Sequence, residues 1–264
     1  MKKEAYMKQG VSTVGIYIFL AAIAGIGLVH LVTGNFPAGL EPVSTRLPYR
    51  HIVAWAVGII MIMASVGALV PQERRASYVC LAAVFFVLLI YPNVVKLLKD
   101  IHDGGQWTAV FETLSLLCGV LIFRHFYNQD PLIFIARVAF ALALTVFGIL
   151  HIVYFDYIQT LIPSWIPFPK FWGWVIPGVF FATALASVVN IRLITGIFGL
   201  MFLCWVIILH MPRVISSPHV EPEWTSLFVA LAMGAIGFML TGKKNEEQKI
   251  SLKVLSFYRA NKPG

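Results

Sequence analysis

Residues 30–48, HLVTGNFPAGLEPVSTRLP, return later in the chain as residues 151–169, HIVYFDYIQTLIPSWIPFP. His30, Asn35, Leu40, Pro42 and Pro48 match His151, Asp156, Leu161, Pro163 and Pro169 at a constant offset of 121. The offset then drops to 120, where Gly58 meets Gly178 and Pro92-Asn93-Val94-Val95 meets Pro212-Arg213-Val214-Ile215. It ends at 117, with Trp107-Thr108 and Phe111 against Trp224-Thr225 and Phe228. Two small gaps over about ninety residues, with His, Pro and Trp among the matched letters, mark a fused tandem duplication.

Composition decides the solvent of both copies. The 264 residues are 59% hydrophobic and only 12% charged, and mean hydropathy is +0.83, which excludes an ordinary soluble globule. Apolar runs fall at 11–33, 51–70, 77–98, 107–123, 132–154, 171–190, 193–211 and 224–241. Each is long enough, or nearly so, to cross about 30 Å of hydrocarbon as a helix. The expected fold is an all-α integral membrane protein with eight transmembrane helices, arranged as two parallel-repeat four-helix bundles. The first repeat takes 1–123, a polar linker 124–131, the second repeat 132–241, and a basic tail 242–264. In that tail Ile250, Val254 and Phe257 have helical spacing, which suits either an amphipathic helix on the membrane surface or a disordered basic tail.

Positive charge sets the expected orientation. With the N-terminus inside, fourteen Lys and Arg residues fall on the inner side and six on the outer, which puts both termini in the cytoplasm. The first apolar run is too long for a cleavable signal and ends without a small-residue cleavage site, so it reads as an uncleaved span. A net charge of +8 often points to nucleic acid; here short inner loops and a tail beside anionic lipid account for it, and nucleic-acid binding is excluded. Cys80, Cys118 and Cys204 all lie inside apolar runs and form no C-x-x-C, which argues against thiol redox chemistry.

Polar residues within membrane spans are costly, so where they gather points to function. Nearly all gather at the outer end. His30 and His151 close the first helix of each repeat, and Asn35 and Asp156 follow in the first outer loop. The third helices are expected to end at Tyr91-Pro92-Asn93 and His210-Met211-Pro212-Arg213. The fourth begin at Gln106-Trp107-Thr108 and Glu223-Trp224-Thr225. Each repeat should therefore carry a polar cup beneath a Pro-rich loop. The second cup, His151, Asp156, His210 and Glu223 with Trp224 beside them, has the donors to bind a metal or relay a proton, although no specific metal motif is present. The first keeps His30 and Trp107, has Asn35, Ile90 and Gln106 at the matching positions, and gains Glu112 where the second repeat has Val229.

Each of these residues also has a plainer reading. A histidine at a helix end can simply cap a carbonyl, His210 stands just before a proline that frees one, and the tryptophans suit an interfacial belt. No P-loop, dinucleotide fingerprint, metalloprotease motif or nucleophile elbow occurs. Haem is disfavoured, because the span histidines lie at one end rather than deep in facing helices.

Together these residues resemble the DoxX-like family of small four-helix membrane proteins. The likeness is clearest from Phe147-Gly148-Ile149-Leu150-His151 through Pro163-Ser164-Trp165-Ile166-Pro167, Phe171-Trp172 and Gly178, then Arg192, Trp205, His210-Met211-Pro212-Arg213 and Glu223-Trp224-Thr225. The resemblance implies a bacterial inner-membrane protein, some of whose relatives accompany membrane oxidoreductases and quinones. The expected role is an accessory or small-ligand-binding subunit working with a membrane partner. The alternative is a quinone-linked oxidoreductase subunit whose periplasmic cup carries protons on His151, His210, Asp156 and Glu223. Ala21 with Gly25, and Ala230 with Gly234, have the spacing for close helix contact with a partner or within the chain.

Overall fold

The computed structural model describes residues 2–128 and 132–242, and the tail expected beyond Gly242 lies outside them. No strand occurs among the described residues, and eight helices are long and apolar enough to cross a membrane. In hydrocarbon every backbone N–H and C=O must be satisfied internally, so unbroken apolar runs of this length become helices.

The first repeat contains α1 (Lys2–Thr33), α2 (Arg50–Gly67), α3 (Arg74–Leu88), a kinked segment (Leu89–Val94), the short α4 (Val95–Leu97) and α5 (Gly104–Asn128). The second contains α6 (Leu132–Val153), a loop helix α7 (Phe155–Leu161), α8 (Pro169–Val189), α9 (Arg192–Trp205), a π-helical turn (Val206–His210), α10 (Met211–Ser216) and α11 (Glu221–Met239). The polar linker expected at 124–131 is shorter than its composition suggests, because α5 stays helical to Asn128.

Helix ends follow local chemistry. Gly34 stops α1 in the left-handed region (φ 63°) while its N–H returns to the His30 carbonyl at 3.0 Å. Asn190 does the same for α8 at φ 65°. Tyr49 and Phe168 are both left-handed and each follows a proline immediately before a helix. That correspondence, Pro48-Tyr49 with Pro167-Phe168, moves the match of Pro48 from Pro169 to Pro167.

The third spans continue past the prolines at which the sequence expects them to end, although in the first repeat the helix itself breaks there, at Tyr91. Pro92 and Pro212 each remove a backbone donor. In the first repeat Tyr91 leaves helical geometry (φ −127°, ψ 112°) and the span kinks at Pro92, while in the second the hydrogen-bond ladder widens into a π turn just before Pro212. The spans then continue to Leu97 and Ser216.

Packing joins the repeats more closely than two separate bundles would. Neighbours run in a ring, α1, α2, α3, α5, α6, α8, α9, α11 and back to α1. A further contact between α5 and α11 pinches the ring across its middle. The result is two lobes on a shared seam. The first is walled by α11, α1, α2, α3 and α5, and the second by α5, α6, α8, α9 and α11. Glycines bring α11 close to α1 and α9. A Cβ on Gly25 would lie 2.3 Å from the Phe228 ring, and one on Gly199 would lie 2.8 Å from the Gly234 carbonyl oxygen. The small residues at 25 and 234 therefore serve contacts within this chain.

Candidate functional site

His30 and His151 start from the same local geometry. Each stands on the last turn of the first helix of its repeat, and each Nδ1 donates to the carbonyl four residues back. The distances are 2.9 Å to Ile26 and 2.8 Å to Phe147. A carbonyl can only accept, so Nδ1 carries the proton in both rings and Nε2 is left to face whatever the lobe supplies.

In the first lobe that partner is Glu41, whose Oε2 lies 2.8 Å from His30 Nε2. Both side chains are buried. With Nδ1 already protonated, the pair shares one further proton and is neutral overall whichever atom holds it, which suits a hydrocarbon setting. The loop from 34 to 48 delivers Glu41 by folding inward on Phe36, Leu40 and Val43, all buried. Asn93 fixes the loop from across the lobe: its Nδ2 donates to Leu40 O at 3.1 Å, Leu88 O at 2.9 Å and Thr113 Oγ1 at 3.1 Å. Phe36 sets its edge against the His30 ring at 5.5 Å. Glu221, at the start of α11, lies within electrostatic range of the same histidine. This lobe is filled by its own loop.

The second lobe is open. A cavity of about 550 Å³ runs between α5, α6, α8, α9 and α11, under the loop that carries α7. Its walls are largely aliphatic and aromatic, including Phe147, Ile176, Phe180, Met201, Phe202 and Met233. Below the mouth the ionisable groups on it are Glu112, His151 and His210. The loop explains the difference between the lobes. Where the first repeat buries Phe36 to 5% exposure, the second has Tyr157 at 63%. Leu161 and Ile162, the counterparts of Leu40 and Glu41, border the cavity without crossing it. No residue of α7 is buried.

His151 and His210 both line this cavity. His151 packs its ring on Phe180 at 5.0 Å, and among the described residues its Nε2 makes no hydrogen bond. His210 ends the π turn before Pro212, and its Nδ1 is buried without a hydrogen-bond partner.

Other candidates are placed differently. Asp156 is exposed in the first turn of α7, accepting from Gln159 at 3.4 Å, because α7 turns it outward. Glu223 does not line the cavity, and the four-residue cup of His151, Asp156, His210 and Glu223 is not assembled. Asn35 is exposed and accepts from Arg50. Trp107 and Trp224 staple the loops before α5 and α11, their Nε1 groups donating to Ile101 O and Pro218 O, both at 2.9 Å. Neither tryptophan faces the cavity.

Glu112 is the largest correction. Sequence position assigns it to the first cup, but α5 lies on the seam, and the face bearing Gly104, Thr108 and Glu112 opens into the second lobe. Eight residues from Gly104 place it about 12 Å along the axis from the cavity mouth. At the mouth, hydrogen bonds from the Gln106 side chain (3.0 Å) and the Gly105 N–H (2.8 Å) hold the Asp103 carboxyl below its ordinary pKa. Gly104 matters sterically, since a Cβ there would meet the Tyr154 ring at 2.4 Å.

Glu41 and Asn93 were missed as functional candidates. The available signal was Glu41 standing between two repeat-matched residues, Leu40 and Pro42, opposite Ile162 in the other copy. Comparison of the chain with protein-family models, curated proteins and solved structures finds no match.

Proposed function

We propose that this chain is a multi-pass membrane subunit that binds a small amphiphile in its second lobe on behalf of a membrane partner. The observation that carries the reading is the apolar cavity interrupted by Glu112, His151 and His210. Small-molecule sites combine apolar walls with a few polar groups that orient the ligand in this way. Membership of the DoxX-like family, a place in a bacterial inner membrane and cytoplasmic termini belong to the same proposal. The His, Pro and Trp pattern supports the first, and the uneven distribution of Lys and Arg supports the orientation.

The test is direct. Full-length protein purified in lipid nanodiscs should carry a small amphiphile detectable by mass spectrometry. Val229→Phe, which fills the cavity from α11, should lose that molecule while remaining folded. Equal occupancy in the two proteins would rule out the cavity as the binding site.

The second reading, a quinone-linked oxidoreductase subunit, has one observation in its favour. Two imidazoles and a carboxyl on one cavity supply the proton acceptors and donors that quinone chemistry needs. It requires that a purified complex with its partner oxidise a naphthoquinol, and that Glu112→Gln slow that turnover.

A further inference from the structure

The two lobes present the same imidazole to two different surroundings, and the filled lobe indicates what the open one lacks. His30 and His151 hold their rings by the same bond from Nδ1 to the fourth preceding carbonyl. In the first lobe a carboxyl reaches Nε2, delivered at the tip of an apolar plug made of Phe36, Leu40 and Val43. In the second lobe Ile162 stands at the position of Glu41, so the loop brings no carboxyl to the matching place, and His151 lines the cavity.

We propose that the second lobe binds an amphiphilic monocarboxylic acid, its carboxyl on His151 Nε2 as Glu41 lies on His30, its apolar body among Phe147, Phe180, Phe202 and Met233. This rests on the reading of the cavity as a ligand site and specifies the head group. Two considerations fix the class. The shared proton makes an imidazole–carboxyl pair neutral overall, so the acid can enter a low-dielectric lobe without adding charge, as the first lobe demonstrates within the same chain. The acid also carries a proton that Nε2, with Nδ1 already protonated, can accept. An alcohol gives Nε2 only a neutral, weaker hydrogen bond, and an ester offers Nε2 no proton at all.

The experiment compares radiolabelled dodecanoic acid, dodecanol and methyl dodecanoate for binding to the full chain in lipid nanodiscs. The acid should bind saturably, with the alcohol and ester weaker by roughly tenfold or more. Ile162→Glu, which recreates the Glu41 arrangement in the second lobe, should weaken acid binding by a similar factor, as should His151→Ala. Ile162→Leu should leave it unchanged. Equal binding of acid, alcohol and ester overturns the carboxylic-acid proposal and leaves the amphiphile site standing; so does tight binding of a naphthoquinol with none of the acid. If none of the probes binds and Val229→Phe leaves the co-purified molecule in place, the cavity is not a ligand site and both readings fall. Should Ile162→Glu or His151→Ala fail to fold, the comparison of the three probes on the unaltered protein decides the matter.

Discussion

At the scale of single residues, two histidines with one geometry have divergent roles. Glu41→Leu strands the buried Nε2 of His30 and should cost about 1–3 kcal/mol of stability, read as a lower thermal midpoint in nanodiscs. His151→Ala should melt closer to the unaltered protein, because its Nε2 faces a cavity and no protein group is orphaned there. A larger loss for His151→Ala than for Glu41→Leu would reverse the assignment of structural and binding roles. Asp103 makes a pH-dependent case. Its carboxyl is held below its ordinary pKa, so its cap on α5 contributes above the unfolded-state value, about 3.9, and the contribution fades as pH falls through the folded value. The stability difference between the protein and Asp103→Asn should be constant near neutrality and shrink on acidification. The repeat made the equivalence of His30 and His151 legible from sequence. It could not show that Glu41 swings inward while Asp156 turns outward, because that depends on whether the loop coils into α7 or packs as a plug.

At the scale of elements, span positions were readable because length and apolarity leave a chain in hydrocarbon few alternatives. The course of the third helices was not, since a proline signals a lost donor without saying whether the helix ends or widens. Pro212→Ala restores a donor four residues after Ile208, should draw the π turn back to α-helical pitch, and thereby turns His210 relative to the cavity. Ligand occupancy should fall while the thermal midpoint holds or rises. Gly199→Val probes the α9–α11 crossing, where a Cβ already meets backbone at 2.8 Å; overpacking should cost about 1–3 kcal/mol and lower the melting midpoint.

At the scale of the whole molecule, the seam of α5 and α11 places Glu112, encoded in the first repeat, on the cavity of the second. Sequence alone assigns it to the cup of its own repeat, with His30, the natural guess when repeats are imagined as closed bundles. The second repeat expressed alone, residues 132–264, should therefore bind no ligand, and co-expression with residues 1–128 should restore binding to the reassembled pair. Binding by the isolated second repeat would show that α5 is dispensable to the site.

That shared seam also bears on ancestry. In this chain the fourth helix of each repeat leans on the first helix of the other, so a single repeat of this build would need a second copy to close its lobe. Joining the copies made that encounter intramolecular and independent of concentration. It also released the halves from identity. In a dimer of identical chains, any substitution that plugs one lobe plugs both. Once fused, one lobe was free to fill itself with Glu41 and its loop and become scaffold, while the other stayed open.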